Sequence, residues 1–353
     1  MAGRRLTRRR VLQGAAALAA AASAGPVRAA NEAGAITPEL VAAARTEGKV
    51  SWYTSVDLPL AEKMARAFES KYPGIACRVE RSGAERNFQR IGQELASNIR
   101  SVDVVNSSDA SHFIVWKRNG WLAPYVPEDV AKHYPPEHKD ADGFFATWRA
   151  FFSPIGYNTN LVKPQDAPKS FADLLDPKWA GKIVKAHPGY SGTILTATFE
   201  MSRDLGWGYF EKLAKQRVMQ VQSAADPPKK VALGERAVTV DGGEYVMLQM
   251  KEAGQPIEVV YPSEGTPLIT GPNAIFKTAP NPNAARLFQS WMFTLEAQQL
   301  MSDVGALRSL HPLVKERAGR KPFGEIKAMK DDPVAVEAKS DEIKATYTRY
   351  FRI

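Results

Sequence analysis

The sequence of 353 residues has few of the side chains that build covalent or metal-bound structure, with one cysteine and five histidines. A single cysteine cannot form an intramolecular disulfide, so stability must come from buried apolar side chains. Cys77 falls in an apolar/polar alternation over 75–79, which predicts a half-buried strand residue and not a reactive thiol. The histidines lack the spacing of paired metal ligands. They are His112, His133, His138, His187 and His311.

The N-terminal apolar stretch is too short to be a membrane span. The uncharged residues 11–24 fall below the ~20 residues that cross a bilayer. Five arginines within residues 4–10 precede this stretch, and an Ala-x-Ala-like site at 27–29 follows it. These features predict a cleaved export signal over residues 1–30 and no stable membrane insertion, with a retained anchor as the weaker alternative. Residues 7–13 resemble the twin-arginine motif, with an ordinary secretory signal as the alternative, and both routes lead out of the cytoplasm.

The chain has little net positive charge when the predicted signal over residues 1–30 is left out of the count. Six of the 47 Lys and Arg residues and no acid lie in residues 1–30, which leaves 41 basic against 38 acidic residues. The net charge of the mature chain is therefore +3 instead of +9. No Lys/Arg-rich run with interleaved aromatic residues remains, so the composition argues against a nucleic-acid partner.

Motifs of common catalytic sites are missing. Residues 189–193 approach the Gly-x-Ser-x-Gly pattern of a serine nucleophile but end in Thr193. The sequence has no Gly-rich phosphate loop ending in Lys and no His-x-x-x-His pair. We therefore predict that the protein is not an enzyme, with a hydrolase as one alternative.

What the sequence does contain is an alternation of strand and helix patterns. Strands are predicted at 49–54, 75–80 and 102–106, and each ends in a polar loop that leads toward a helix. This order is typical of a parallel α/β sheet, in which ligands bind outside the carboxyl ends of the strands. The candidate binding residues in these loops are Thr54, Ser55, Asp57, Ser108 and Asp109.

A second α/β series follows the first. A long apolar strand is predicted from Trp148 to Asn158, another strand over 182–186, and a return strand over 267–276. A further strand over 237–240 ends shortly before a helix start at Glu244. About 320 mature residues exceed the size at which one hydrophobic core keeps growing, so we expect two lobes.

The order of these landmarks resembles the periplasmic ferric-iron-binding and related solute-binding proteins of ABC importers. The resemblance covers nearly the whole mature chain and rests most on the phrase Asp-Pro-Lys-Trp at 176–179 and on the final helix pattern over 283–300. The Ser-Gly-Thr helix start at 191–193 and the Gly-Pro-Asn-Ala-Ile return strand at 271–275 occupy matching places.

The resemblance implies a two-lobed, type II periplasmic-binding-protein (Venus flytrap) fold of the α/β class, with a hinge of crossing strands. Lobe 1 is expected over 31–147 plus about 265–304, and lobe 2 over about 148–264 plus 305–353. It also implies a periplasmic monomer that closes on its ligand and delivers it to an ABC permease with a cytoplasmic ATPase. A sensor without a transport role is the alternative.

The helix start at Ser191-Gly192-Thr193 is the strongest candidate for ligand contact. Backbone N–H groups at a helix start are unpaired and carry partial positive charge, glycine permits close approach, and both hydroxyls can donate hydrogen bonds. In the resembled family, the matching segment binds the anion that accompanies iron. The alternative is a plain helix cap, in which Ser191 serves only its own helix.

The identity of the ligand depends on Glu244 and Tyr245. Iron-binding relatives carry two adjacent tyrosines at this place, and Glu244 replaces the first of them. A ferric site would then need Tyr245, Glu244, Asp57 and Asp109 as oxygen ligands, together with a bound anion. The preferred alternative is a small organic anion of phosphonate or carboxylate type, with no cofactor and with Arg86 as a possible clamp.

Overall fold

The computed structural model describes residues 33–352, so the predicted signal over 1–30 lies outside the described residues. The first half of this range alternates strands and helices, as the sequence pattern predicts. Its elements are α1 (Pro38–Glu47), β1 (Lys49–Thr54), α2 (Leu58–Lys71), β2 (Ala76–Arg81), α3 (Ala84–Ala96), β3 (Val104–Asn106), α4 (Ser111–Arg118), β4 (Leu122–Ala123), α5 (Glu128–His133), β5 (Ala146–Phe152) and β6 (Ile155–Asn158).

The second half continues the alternation and ends in a long helix. Its elements are β7 (Ile183–Ala186), α6 (Gly192–Leu205), α7 (Trp207–Ala214), β8 (Met219–Val221), α8 (Asp226–Ala232), β9 (Val238–Thr239), α9 (Glu244–Glu252), β10 (Ile257–Val260), β11 (Thr266–Phe276), α10 (Pro282–Phe293), α11 (Leu295–Gly305), β12 (Ala328–Met329) and α12 (Pro333–Phe351). Short 3-10 turns cover Pro136–His138, Pro164–Asp166, Ala172–Leu175, Pro177–Trp179 and Phe323–Glu325.

Within residues 33–352, the strands form two sheets. The first has the order β12-β11-β3-β1-β2, and β4 and β5 also pair with β11. Strand β1 runs parallel to both β2 and β3, whereas β11 is antiparallel to β3, β4 and β5. The second sheet has the order β10-β6-β9-β7-β8, with β7 parallel to β8 and β9. The carboxyl ends of parallel strands are therefore available in both sheets.

The chain crosses between the sheets twice. It passes from β5 in the first sheet to β6 in the second, and returns from β10 in the second sheet to β11 in the first. The C-terminal helix α12 contacts α4 beside the first sheet and α6 and α7 beside the second. Two sheets joined by crossing strands are the arrangement that the resemblance implies.

The prediction of one long strand from Trp148 to Asn158 was wrong. The structure divides this segment into β5 and β6, which belong to different sheets. Pro154 stands between them and has no N–H to donate to a ladder. Ser153 fixes the break, because its N–H donates to Pro267 O (2.9 Å) and its Oγ accepts from Gly242 N–H (3.0 Å).

Large aromatic side chains fill the core beside the first sheet. Phe288 of α10 lies 5.0 Å from the ring of Phe68 and 5.4 Å from that of Trp52, measured between ring centroids. Trp148 meets Trp52 edge-on at 5.8 Å. Leu60, Met64 and Phe68 repeat on one face of α2 and are all buried, which explains why this segment is an amphipathic helix. Cys77 is buried in β2, and burial raises the pKa of its thiol.

A buried ion pair ties the start of α9 to the segment after α11. Arg308 donates to both carboxylate oxygens of Glu244, at 2.6 and 3.0 Å, and neither side chain is more than 1% exposed. Glu244 also accepts the N–H of Phe152 at 3.2 Å and the hydroxyl of Tyr261. The carboxylate therefore binds several donors within the protein, which makes it a structural group.

Removing this guanidinium should destabilise the protein strongly. The substitution Arg308→Leu leaves the Glu244 charge buried without its partner, so we expect the free energy of unfolding to fall by about 3–5 kcal/mol. The control is Arg317→Leu, whose pair with Glu252 is partly exposed and should contribute no more than about 1 kcal/mol. Urea unfolding followed by circular dichroism measures both, and equal losses would contradict the structural role of the buried pair.

Candidate functional site

Strands of both sheets end at one cavity of about 270 Å³. Its polar lining combines hydroxyl groups, three arginines and one acid, and apolar and small residues complete the wall. The polar residues are Ser55, Arg81, Glu85, Arg86, Ser108, Arg149, Ser191, Thr193, Gln222, Ser223 and Tyr245. The others are Gly83, Ala84, Phe151, Tyr190, Ala224 and Ala225.

Position in the fold explains why these residues meet. Ser55 follows β1, Arg81 ends β2 and Ser108 lies just after β3, all at the carboxyl edge of the first sheet. Ser191 follows β7 and Gln222 follows β8, at the corresponding edge of the second sheet. Ligands of open α/β sheets bind at this edge, so the cavity lies where the sequence predicts it.

Arg149 is the most unusual residue of the cavity wall. It lies in the crossing strand β5, and its side chain is only 1% exposed. Its Nε donates to Asn106 Oδ1 and its Nη2 to Ser55 Oγ, each at 3.1 Å, so both partners are neutral. Burial lowers the pKa of the guanidinium to about 10, which leaves it charged at neutral pH. Across the described chain no carboxylate lies within ion-pair distance of it.

The neighbouring charges are also predominantly positive. Arg81 Nε donates to the carbonyl of Val56 (3.2 Å), and Arg86 lines the same wall. Glu85 is the acid of the lining, and its carboxylate lies 3.6 Å from His112 Nε2 and from Lys344 Nζ. The polar contact with His112, helped by the hydrogen bond from Gln89 and by the charge of Lys344, lowers the pKa of Glu85 to about 2. A negative ligand therefore meets a net positive wall.

The start of α6 leaves its hydroxyl groups available to a ligand. Ser191 has extended backbone angles (φ −128°, ψ 117°) and makes no side-chain capping hydrogen bond, unlike the plain-cap alternative. Ser191 and Thr193 line the cavity. Gly192 does not line it, but a Cβ there would lie 2.5 Å from Asp109 Cβ and 3.2 Å from Ala84 Cβ. Only glycine lets the start of α6 approach the loops of the first sheet this closely.

Tyr245 lies in the first turn of α9 and lines the cavity beside Phe151, with the two rings 5.2 Å apart. Burial raises the pKa of its phenol to about 12, and the Asp57 charge adds to this effect, while Arg149 and Arg81 oppose it. The hydroxyl is therefore protonated at neutral pH and can donate a hydrogen bond to a ligand.

Five residues of the predicted site lie outside the cavity lining. Thr54 Oγ1 accepts the N–H of Val56, and Asp57 caps α2 by accepting the N–H of Leu60. Asp109 is buried and accepts both the N–H and the hydroxyl of Ser111. Gly192 allows the start of α6 to lie against Asp109 and Ala84, and Glu244 forms an ion pair with Arg308. Each of the three acids of the predicted site thus accepts hydrogen bonds from groups within the protein.

The four oxygen ligands suggested for iron are consequently not assembled at the cavity. Of Tyr245, Glu244, Asp57 and Asp109, the structure brings only Tyr245 to its wall. Ser55, Ser108, Ser191, Thr193 and Tyr245 are the predicted residues that do meet there, joined by Arg86.

Sequence reasoning missed Arg81, Arg149, Gln222 and Ser223. One signal was present for Arg149, because a cation interrupts the apolar run over 146–152 at a position that a strand would bury. Gln222 and Ser223 come directly after the parallel strand β8, at the strand end where ligands of α/β sheets bind, and this position is the signal that could have identified them.

None of the helices within residues 33–352 combines the length and apolarity that crossing a membrane requires.

Known proteins share this fold. The periplasmic binding protein AfuA from Actinobacillus pleuropneumoniae, solved with exogenous fructose 6-phosphate bound, superposes with a TM-score of 0.79 at 23% identity, over 87% of this chain and 99% of its own. Iron-bound HitA from Pseudomonas aeruginosa gives 0.74 at 23% identity, over 86% and 99%. These similarities establish the type II periplasmic-binding-protein fold.

Sequence comparison gives the family. An uncharacterized protein of Haemophilus influenzae is 25% identical over 267 residues, which cover 73% of this chain and 76% of that protein. The family described as bacterial extracellular solute-binding protein matches residues 53–299, well over half of the chain. The protein therefore belongs to the bacterial extracellular solute-binding proteins, the family that provides ABC transporters with their periplasmic solute-binding component.

Proposed function

We propose that the protein captures a small organic anion between its two sheets and delivers it to an ABC permease. The head group is a phosphonate, phosphate or carboxylate, and a doubly charged head group fits the wall best. The observation that carries this proposal is Arg149, a buried cation whose hydrogen-bond partners within the described chain are neutral. A buried unpaired charge is costly, and an oxyanion with two acceptor oxygens satisfies a guanidinium well.

The rest of the cavity supports the same class of ligand. Arg81 and Arg86 add positive charge, and the first turn of α6 adds its N–H groups and two hydroxyls. Phe151 and Tyr245 offer apolar surface to the body of the ligand, and Glu85 is placed to meet an amino or hydroxyl group. A volume of about 270 Å³ suits a small solute. The sugar phosphate bound to AfuA, a protein of the same fold, is a ligand of this chemistry.

Ferric iron is the less well supported cargo. HitA and the ferric-binding protein of Campylobacter jejuni share the fold, and Tyr245 offers one phenol. A trivalent cation needs several anionic oxygen ligands, whereas Asp57, Asp109 and Glu244 are held elsewhere. The raised pKa of Tyr245, about 12, further disfavours a phenolate.

Closure of two lobes on the ligand is part of the proposal. Ser55, Ser108 and Arg149 belong to the first sheet and its loops, whereas Ser191 and Thr193 follow the second. A ligand that binds both sets favours the closed state over the open one. The proposed lobes are 31–147 plus about 265–304 and about 148–264 plus 305–353, with β5, the crossing strand that carries Arg149, at their boundary.

The proposal includes a monomer, exported as a folded chain by a twin-arginine-type signal, that binds its solute without altering it. We assign Ser191 to ligand binding and not to catalysis, because no histidine is among the described residues that line the cavity. A hydrolase would need such a base beside its nucleophile. A sensor would bind the ligand in the same way as an import protein, but its closed form would be recognised by a partner other than the permease.

Removing the central cation should abolish anion binding. The probes are fructose 6-phosphate, an aminoalkylphosphonate and inorganic phosphate, and the one that binds the unaltered protein is used. For Arg149→Met we expect the affinity for that probe to fall at least ~30-fold. Isothermal titration calorimetry measures this change. The matched control is Arg66→Met, an exposed arginine paired with Glu62 on α2, which should leave binding unchanged. Undiminished binding by the Arg149 variant would refute the assignment.

Iron binding gives a different and visible result. If the cargo is ferric iron, adding a ferric complex to the unaltered protein produces a phenolate-to-iron colour that Tyr245→Phe removes. We expect no such colour, because Asp57, Asp109 and Glu244 do not line the cavity and Tyr245 alone does not supply the several anionic oxygen ligands that ferric iron needs. An absorption spectrum with and without iron decides between the two cargoes.

A methyl group at Gly192 should hinder closure. The substitution Gly192→Ala places a Cβ 2.5 Å from Asp109 Cβ, so the loops of the two sheets cannot approach as they do here. We expect at least about tenfold weaker anion binding, because the closed state is disfavoured, and no ligand-induced compaction when the variant is measured by small-angle X-ray scattering. Gly208→Ala is the control, because nothing lies within 4 Å of its added methyl. Normal compaction in the Gly192 variant would show that this contact does not limit closure.

A further inference from the structure

A second group of ligand-type side chains lies away from the anion cavity. Asp129 and His133 are one turn apart on α5, and His311 lies in the segment that follows α11. Asp129 Oδ1 is 3.5 Å from His311 Nε2 and 4.0 Å from His133 Nε2. One ligand atom from each residue lies within 4.8 Å of the others. The spacing of the histidines gave no sign of this, because 178 residues separate His133 from His311.

The state of His311 points to a missing partner. Its side chain is 2% exposed, and its Nε2 faces Asp129 without making a hydrogen bond. A buried polar atom without a partner is uncommon in native structures. The ring is held in place, since its Nδ1 accepts the N–H of Leu313 at 3.3 Å and the backbone N–H of His311 donates to Ser309 Oγ at 3.0 Å.

We infer that Asp129, His133 and His311 form a binding site for a divalent transition-metal ion of the zinc class. Two imidazoles and one carboxylate are ligands that such ions prefer, and three protein ligands leave one position for water. Bonds of about 2.0–2.1 Å place tetrahedral ligands ~3.4 Å apart, so small side-chain movements suffice. His133 and Asp129 can make these movements, because their side chains are 33% and 31% exposed.

Metal binding has a defined local cost. The ion occupies the lone pair of His311 Nε2, so the ring proton lies on Nδ1 and the long hydrogen bond from Leu313 N–H is lost. The ion also neutralises the Asp129 carboxylate, whose Oδ1 lies within 4.0 Å of the Nε2 atoms of both histidines.

A bound ion would join α5 to the segment that carries Arg308. The site should therefore raise thermal stability by binding the folded state. Because none of its three residues lines the anion cavity, anion affinity should not change with metal. The inference is thus independent of the proposed cargo.

The test uses tag-free protein without residues 1–30, treated with a chelator and then dialysed. Titration with Zn²⁺ in the calorimeter should show one saturable site per chain, and Zn²⁺ should raise the melting temperature. His133→Gln and Asp129→Asn should each weaken Zn²⁺ binding at least ~10-fold. His138→Gln is the matched control, a nearby histidine outside the group, and should bind as the unaltered protein does.

Two outcomes would overturn the inference. One is the absence of saturable Zn²⁺ binding, and the other is unchanged binding in His133→Gln, which would place the ion elsewhere. Because His311 is buried, His311→Gln can fail to fold, and for that reason the test relies on His133, whose side chain is 33% exposed. Co²⁺ gives an independent reading, since its visible absorption in the unaltered protein should vanish in His133→Gln.

Discussion

The guanidinium of Arg149 imposes the constraint on which the site depends. It lies in the strand by which the chain crosses between sheets, and it is buried against Asn106 and Ser55, which carry no charge. A buried cation of this kind needs a negative partner, and the described chain provides no carboxylate within ion-pair distance. We propose that the bound ligand provides that negative charge and so neutralises the buried guanidinium.

The acids near the cavity are consistent with this reading. Asp57 caps a helix, Asp109 binds Ser111, and Glu244 is neutralised by Arg308. Each of these acids has hydrogen-bond donors within the protein, and Glu244 has a cationic partner, whereas the hydrogen-bond partners of Arg81 and Arg149 are all neutral. The same chain that matches the fold of iron-binding proteins therefore presents a wall suited to an anion. Fold and cargo are separate properties, and the cargo follows from a few side chains at the strand ends.

Local patterns were sufficient for much of this structure. The strand–loop–helix alternation predicted the strands that end at the cavity, and it placed Ser55, Ser108 and Ser191 after strands, where they line the cavity. Those predictions succeeded because a residue directly after a parallel strand has a fixed place in an α/β sheet. The break at Pro154 was missed because both strands flanking it are apolar, and periodicity alone does not show that they enter different sheets.

Long-range partners explain what could not be predicted. The role of Glu244 depends on Arg308, 64 residues later, and the meeting of His133 with His311 depends on the packing of α5 against a distant segment. Arg149 contacts Asn106 across the first sheet, and no spacing in the sequence indicates that contact. Whether a carboxylate caps a helix, binds an arginine or faces a ligand is decided by such neighbours.

The most direct test of the account is to identify the natural cargo. The protein is purified from its own periplasm without added ligand, its intact mass is measured under native conditions, and the bound molecule is then released by denaturation and identified by mass spectrometry. Our account predicts one small organic molecule per chain with a phosphate, phosphonate or carboxylate group. Recovery of ferric iron, or of an uncharged solute, would contradict it.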